Sequence, residues 1–215
     1  MKMNVRMAYL PFAFCLIALS ASCPPATAGD NPKRDESLLT VDRIYGGSEF
    51  KSKSDSARWL KSGEHYTTLK PSADHKQRHD IVRHDPASGN MQVVVAAADL
   101  IPPGESSPLK IEDYAWSKDQ AKLLIYTNSK RVWRRNTRGD YWLLDRASKQ
   151  LRQLGGDAKP ATLMFAKLSP NAEKIAYVRE GDIYVEDLFD HSVKRLTYAE
   201  QSEVINGTTD WVYEE

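Results

Sequence analysis

Two stretches of this 215-residue chain resemble each other closely enough to constrain the fold. DYAWSKDQAKLLIY (113–126) and MFAKLSPNAEKIAYV (164–178) each pass from an apolar entry through a serine-centred turn and a lysine. Both then enter an apolar strand ending in tyrosine, and Ser117 and Ser169 lie 52 residues apart. Downstream, GDYWLLD (139–145) matches GDIYVED (181–187), and QLRQL (150–154) aligns with VKRLT (193–197). A looser copy runs from ARWLKSGEHYTTL (57–69) through DIVRHD (80–85) to MQVVV (91–95). The runs are short, rich in β-branched and aromatic residues, and bounded by Gly, Pro, Asp or Asn, as strands between tight turns are. Four such strands per period of about 50 residues is the pattern of β-propeller blades, which bury their faces only against neighbouring blades. The expected fold is all-β: an incomplete β-propeller of about three four-stranded blades plus the start of another. A closed ring takes about four to eight blades, so the chain is expected to be truncated.

The repeat exposes one irregularity. Twelve residues separate Ser169 from Gly181, but 22 separate Ser117 from Gly139. The additional ten include KRVWRRNTR (130–138), expected to form an arginine-rich loop projecting beyond its blade, where repeat folds carry binding residues.

The first residues are expected to be an address and not part of the fold. Lys2 and Arg6 precede an apolar run, 8–21, that is too short to span a bilayer, and Ala26-Thr27-Ala28 offers small residues for cleavage. Residues 1–28 therefore read as a secretory signal peptide, 29–37 as a polar leader and 38–215 as the propeller portion. The expected location is exported, periplasmic or extracellular, with no membrane span; a lipid anchor at Cys23 lacks the aliphatic residue three positions ahead. Cleavage near Ala28 removes both cysteines, Cys15 and Cys23, so the mature chain would hold no disulfide. It would leave 28 basic against 29 acidic residues, a balance that gives nucleic acid no reason to be a partner.

Few residues carry chemistry on their own. Glu214 and Glu215, at the end of NGTTDWVYEE (206–215), could hold an ammonium group if a turn made them converge, though an exposed acidic pair is the commoner meaning. Arg134 and Arg135 beside Trp133 could grip a carbonyl or carboxylate through the guanidinium fork, or could be a solvated loop. His75 and His79 would share a face only on a helix, and no metal or other cofactor is expected. Asn206-Gly207-Thr208 is a glycosylation sequon that reads equally as a turn. Neither a Gly-x-Ser-x-Gly elbow nor a phosphate-binding glycine loop occurs.

LTVDRIYGGSEF (39–50), VWRRNTRGDYWLLD (132–145) and NGTTDWVYEE, in this order, resemble the N-terminal propeller of the dipeptidyl peptidase IV family, in the prolyl oligopeptidase clan. The resemblance implies serine exopeptidases that release N-terminal dipeptides with proline or alanine second, built from an eight-bladed propeller over an α/β-hydrolase domain. It implies that Arg134, following Trp133, contacts a carbonyl of the dipeptide. Glu215 would be the first carboxylate to face the substrate ammonium, with Glu214 and Trp133 in support. Its implied partners are a peptide N-terminus, the absent hydrolase domain and, as the family allows, a second copy in a homodimer. The chain alone would be inactive, lacking the Ser-Asp-His triad. The competing expectation is a standalone exported propeller module that binds without catalysis.

Overall fold

The structure is a computed structural model that describes residues 38–51, 56–132, 134–198 and 204–208. The chain divides into two compact units, 1–52 and 53–215. In the first, the described residues form one short helix, α1 (Val41–Gly46). Thr40 caps it by accepting the Arg43 N–H at 3.2 Å, and the Arg43 guanidinium grips Glu49 with bonds of 2.9 and 2.6 Å.

The second unit is all-β, and its described strands form three successive four-stranded meanders, paired antiparallel throughout. The first is β1 (Arg58–Trp59), β2 (Tyr66–Pro71), β3 (His79–His84) and β4 (Met91–Val95). The second is β5 (Asp113–Trp116), β6 (Lys122–Val132), β7 (Arg135–Asp145) and β8 (Gln150–Gln153). The third is β9 (Leu163–Leu168), β10 (Lys174–Arg179), β11 (Asp182–Asp187) and β12 (Val193–Arg195). A two-residue ladder between β7 and β9 joins the last two meanders.

The period seen in the sequence is a repeated backbone turn. Ser117 N–H donates to the Lys122 carbonyl and Ser169 N–H to the Lys174 carbonyl, each at 2.9 Å, and Leu60 does the same with His65. In each turn the fourth residue has positive φ: Gly63 at 77°, Gln120 at 61° and Ala172 at 54°. Ser117 and Ser169 also accept the N–H of Lys122 and Lys174 through Oγ, at 2.9 and 3.0 Å. The serine bridges the turn from both backbone and side chain, which is why the sequence marks it so clearly.

The ladders correct the alignment in two places. Leu123 pairs with Leu144 and Ile175 with Glu186, so Tyr126 corresponds to Val178, not to Tyr177. The two tyrosines lie on opposite faces, since neighbouring strand residues alternate. Trp142 pairs with Gln153 and Tyr184 with Arg195, so QLRQL corresponds to SVKRL (192–196), one residue earlier than its apparent match VKRLT. A one-residue slip exchanges the faces, and the pairing of each edge strand with its neighbour decides between the two.

Alternation also builds the core. On β6, Leu123 and Ile125 face the first meander, packing with Ile81, Val95 and Leu100. Leu124, between them, faces the third, packing with Leu163, Ile175 and Tyr177. The middle sheet is thus buried on both sides, stacked face to face between its neighbours as propeller blades are. Each fully buried aliphatic side chain contributes about 1.5–3 kcal/mol to holding those faces together.

Candidate functional site

The ten additional residues do not form a loop. They lengthen β6 and β7 to 11 residues each, against six in β10 and β11, and pair as a two-stranded ribbon. Lys130 pairs with Arg138, Arg131 with Asn136 and Val132 with Arg135, beyond a register shift after Thr127. A run of basic residues gives no apolar alternation by which sequence could announce a strand. The ribbon forms through backbone pairing and is fastened at its base.

Asn128 turns the chain out of the sheet with φ 48° and donates through Nδ2 to Asp140 Oδ2 at 2.7 Å. The buried Asp140 also accepts the Ala161 N–H at 2.6 Å. Tyr126 Oη donates to the carbonyls of Asn136 and Arg138, both at 2.9 Å. Ser129 hydrogen-bonds Glu112 through Oγ, and Asn136 Nδ2 donates to that Oγ at 2.7 Å. Gly139 lets the return strand cross: a Cβ there would overlap the Tyr126 ring and come within 2.8 Å of the Thr127 carbonyl oxygen.

Arg134 occupies the exposed turn at the ribbon tip, with Lys130, Arg131, Arg135 and Arg138 also exposed along the ribbon. Trp133, Glu214 and Glu215 lie outside the described residues. Of NGTTDWVYEE, residues 206–208 are described and dock on the third meander. Asn206 N–H donates to the Gly181 carbonyl at 2.8 Å and its side-chain amide to Asp182 at 3.1 Å. Gly207, with φ 78°, sits where a Cβ would come within 2.6 Å of Val178 and 2.8 Å of Ile183.

A feature absent from the sequence reading lies at the ribbon base. A cleft of about 290 Å³ is lined by Arg58 from β1, Asp113 and Tyr114 from β5, and Thr137 from the ribbon. Tyr141 and Phe165 also line it. Arg58 pairs with Asp113, donates through Nη1 to the Tyr114 carbonyl at 2.7 Å, and lies over the Tyr114 ring at 4.6 Å. Burial pushes the Tyr141 phenol up to about 12, opposed by backbone N–H donation from Ala166 and Phe165. Phe165 is held at φ 55°, in the left-handed region that a bulky residue seldom enters. Partners 55 residues apart leave no local signal, so this cleft could not have been found from the sequence.

The histidine expectation changes as well. His75 lies in the turn before β3, its carbonyl accepting the Arg78 N–H, and His79 opens that strand, so the two share no helical face. Among the described residues no group of three His, Cys, Asp or Glu side chains could hold a metal. No helix among them is long and apolar enough to cross a membrane.

Comparison with known proteins bears on this ribbon. The profile of the dipeptidyl peptidase IV (DPP IV) N-terminal region matches residues 117–215. Residues 117–215 carry the N-terminal region of the dipeptidyl peptidase IV family. It is 26% identical to dipeptidyl peptidase 4 of Bos taurus over 213 residues, 99% of this chain and 26% of that protein. With dipeptidyl aminopeptidase B of Saccharomyces cerevisiae it shares 35% identity over 108 residues, 50% of this chain and 13% of that one. Among solved structures, Porphyromonas gingivalis dipeptidyl peptidase 4 shares the fold, with a TM-score of 0.66 at 24% identity. That match covers 82% of this chain and 24% of the other. The chain spans about a quarter of the length of the bovine relative. The DPP IV N-terminal match takes in the whole ribbon and the NGTTDWVYEE segment.

Proposed function

We propose that this chain is the substrate-recognising N-terminal part of a dipeptidyl peptidase IV-like serine exopeptidase. Residues 38–215 supply three propeller blades and the beginning of another, residues 1–28 direct export, and the hydrolase domain supplies the nucleophile. In this reading Arg134 donates to a carbonyl of the N-terminal dipeptide and Glu215 holds the free α-ammonium. Glu214 and Trp133 support those two contacts, and the assembled enzyme acts as a homodimer on peptides with proline or alanine second.

The observation that carries the proposal is the position of Arg134 at the tip of a ribbon anchored at its base, inside the matched region that also contains Glu215. Fixing one carbonyl and one ammonium at set positions places the second peptide bond at a constant distance, which is how an exopeptidase counts two residues. A charge-assisted bond to the ammonium distinguishes a chain terminus from an internal amide.

Titrating the 215-residue chain with Ala-Pro-Ala and with its N-acetylated form, followed by NMR chemical-shift changes, tests the assignment. The free amine should bind about tenfold tighter, from one charge-assisted hydrogen bond. Glu215→Gln should abolish that preference, and Arg134→Gln should weaken both peptides without changing the melting temperature. Equal binding of the acetylated peptide, or indifference to Arg134→Gln, would refute it, as would release of Ala-Pro by the chain alone.

A further inference from the structure

The cleft at the ribbon base contains two polar atoms that fold into place without a partner. Arg58 Nε and Thr137 Oγ1 are shielded from solvent and make no hydrogen bond among the described residues. Thr137 is in this position because the ladder skips it: Asn136 pairs with Arg131 and Arg138 with Lys130, leaving Thr137 as the bulged residue. Bulges re-aim a side chain, and this one makes Thr137 part of the cleft lining. Shielding a donor without a partner is costly, so a ligand that supplies the missing acceptor gains the full bond.

The surrounding chemistry narrows the ligand. Arg58 is already neutralised by Asp113, so the cleft offers little to a free carboxylate or phosphate and suits a neutral acceptor such as an amide carbonyl. The threonine hydroxyl can donate to or accept from the same amide plane. Beside Asn136, the lining also presents the flat ring surfaces of Tyr114, Tyr126, Tyr141 and Phe165, which suit an apolar side chain. Arg134 lies three residues from Thr137 along the ribbon, about 10 Å at strand spacing, and an extended peptide covers that distance in about three residues.

We propose that this cleft is a second peptide subsite, which takes an uncharged apolar segment of the substrate through a backbone carbonyl on Arg58 Nε and an amide on Thr137 Oγ1. The proposal rests on the peptide-recognition reading of Arg134. It places about the fourth or fifth residue of a bound peptide in the cleft, so substrates longer than the dipeptide are selected by their downstream sequence.

The test is isothermal titration of the 215-residue chain with Ala-Pro-amide, the hexapeptide Ala-Pro-Ala-Ala-Leu-Ala-amide, the analogue Ala-Pro-Ala-Ala-Glu-Ala-amide and maltotriose. The leucine hexapeptide should bind about two- to tenfold tighter than the dipeptide for each cleft hydrogen bond, and the glutamate analogue should lose that gain. Thr137→Val and Arg58→Lys should each remove one bond's share of that increment, about two- to tenfold, while leaving Ala-Pro-amide binding unchanged. The two variants are independent, and circular dichroism of each checks that the fold is intact. Equal affinity for the two peptide lengths, with Ala-Pro-amide still weakened by Arg134→Gln, overturns the subsite and leaves the Arg134 reading standing. Loss of Arg134 dependence with the length effect intact overturns that reading alone. Maltotriose binding abolished by Thr137→Val overturns the peptide assignment in favour of a neutral sugar.

Discussion

Glu186 occupies the register position at which the preceding meander has Leu144, and only 1% of it is exposed. One oxygen pairs with Arg152 across the two sheets, and the other accepts the buried Gly155 N–H at 3.1 Å. Consider Glu186→Leu, the residue the repeat itself would supply. The substitution leaves the Gly155 N–H without an acceptor, a loss of about 1–3 kcal/mol. Arg152 suffers less, because its side chain is 29% exposed and can turn to water, so its share stays below about 1 kcal/mol. Added apolar burial recovers part of this, giving a net destabilisation of about 1–3 kcal/mol. In a chain of this size that lowers Tm by about 2–12 °C. Glu186→Gln keeps an acceptor for Gly155 and should cost about 1 kcal/mol. Thermal and urea unfolding followed by circular dichroism would measure both, with Arg152→Met and the double variant completing a cycle. The double variant should be less destabilised than the two single changes added together. A Glu186→Leu chain as stable as the parent would refute the reasoning, as would an Arg152→Met change without cost, since it leaves the buried Glu186 carboxylate unpaired.

Further expectations concern the turns and the ribbon. The Ser117 hydroxyl and the Ala121 N–H hold Asp119 below its ordinary pKa. The stability it contributes is therefore complete above about pH 4 and lost as pH falls through the lower folded value; Asp119→Asn should flatten that acid limb in pH-dependent urea midpoints. Tyr141 has the opposite sign: with its folded value raised to about 12, stability should fall as pH rises from about 10 toward it. Tyr141→Phe should flatten this alkaline limb in the same measurement while lowering stability at pH 7, where the Phe165 and Ala166 N–H groups lose an acceptor. Asn128→Ala should cost about 1–2 kcal/mol, from the lost bond to Asp140 and the positive φ, and should speed hydrogen exchange of the ribbon amides while leaving β10 and β11 unchanged.

What the sequence makes legible here is punctuation. Ser117, Ser169, Asp145 and Asp187 mark where strands turn, because each makes a bond to backbone a few residues away. Register is a different kind of information. Whether QLRQL answers VKRLT or SVKRL depends on which residue lies across the ladder, and both alignments look equally apolar when read along one strand. The ribbon escaped for the same reason: KRVWRRNTR has no alternation, and its strand character comes from anchors at Asn128, Gly139 and Tyr126. Arg134 is a candidate only through the resemblance carried by Trp133-Arg134, since nothing about an exposed arginine on its own distinguishes it from Arg131 or Arg135.

The anchors also show how Arg134, proposed for recognition, can be held at the tip of so exposed an element. A two-stranded ribbon alone is marginal in water, and like charges facing each other, as Lys130 and Arg138 do, weaken it further. What offsets that is concentrated at the base, where Tyr126 bridges two carbonyls of the return strand and Asp140 links Asn128 to the connection leading into β9. Asp140 is therefore shared between the ribbon and the interface of two sheets. The position of Arg134 is tied to sheet stacking through that carboxylate, and the bulge at Thr137, between the same anchors, ties the cleft to it as well. The tip and the cleft are two ends of one anchored ribbon, so a change that loosens the base should degrade both together, whereas Arg134→Gln or Thr137→Val should each affect only its own end.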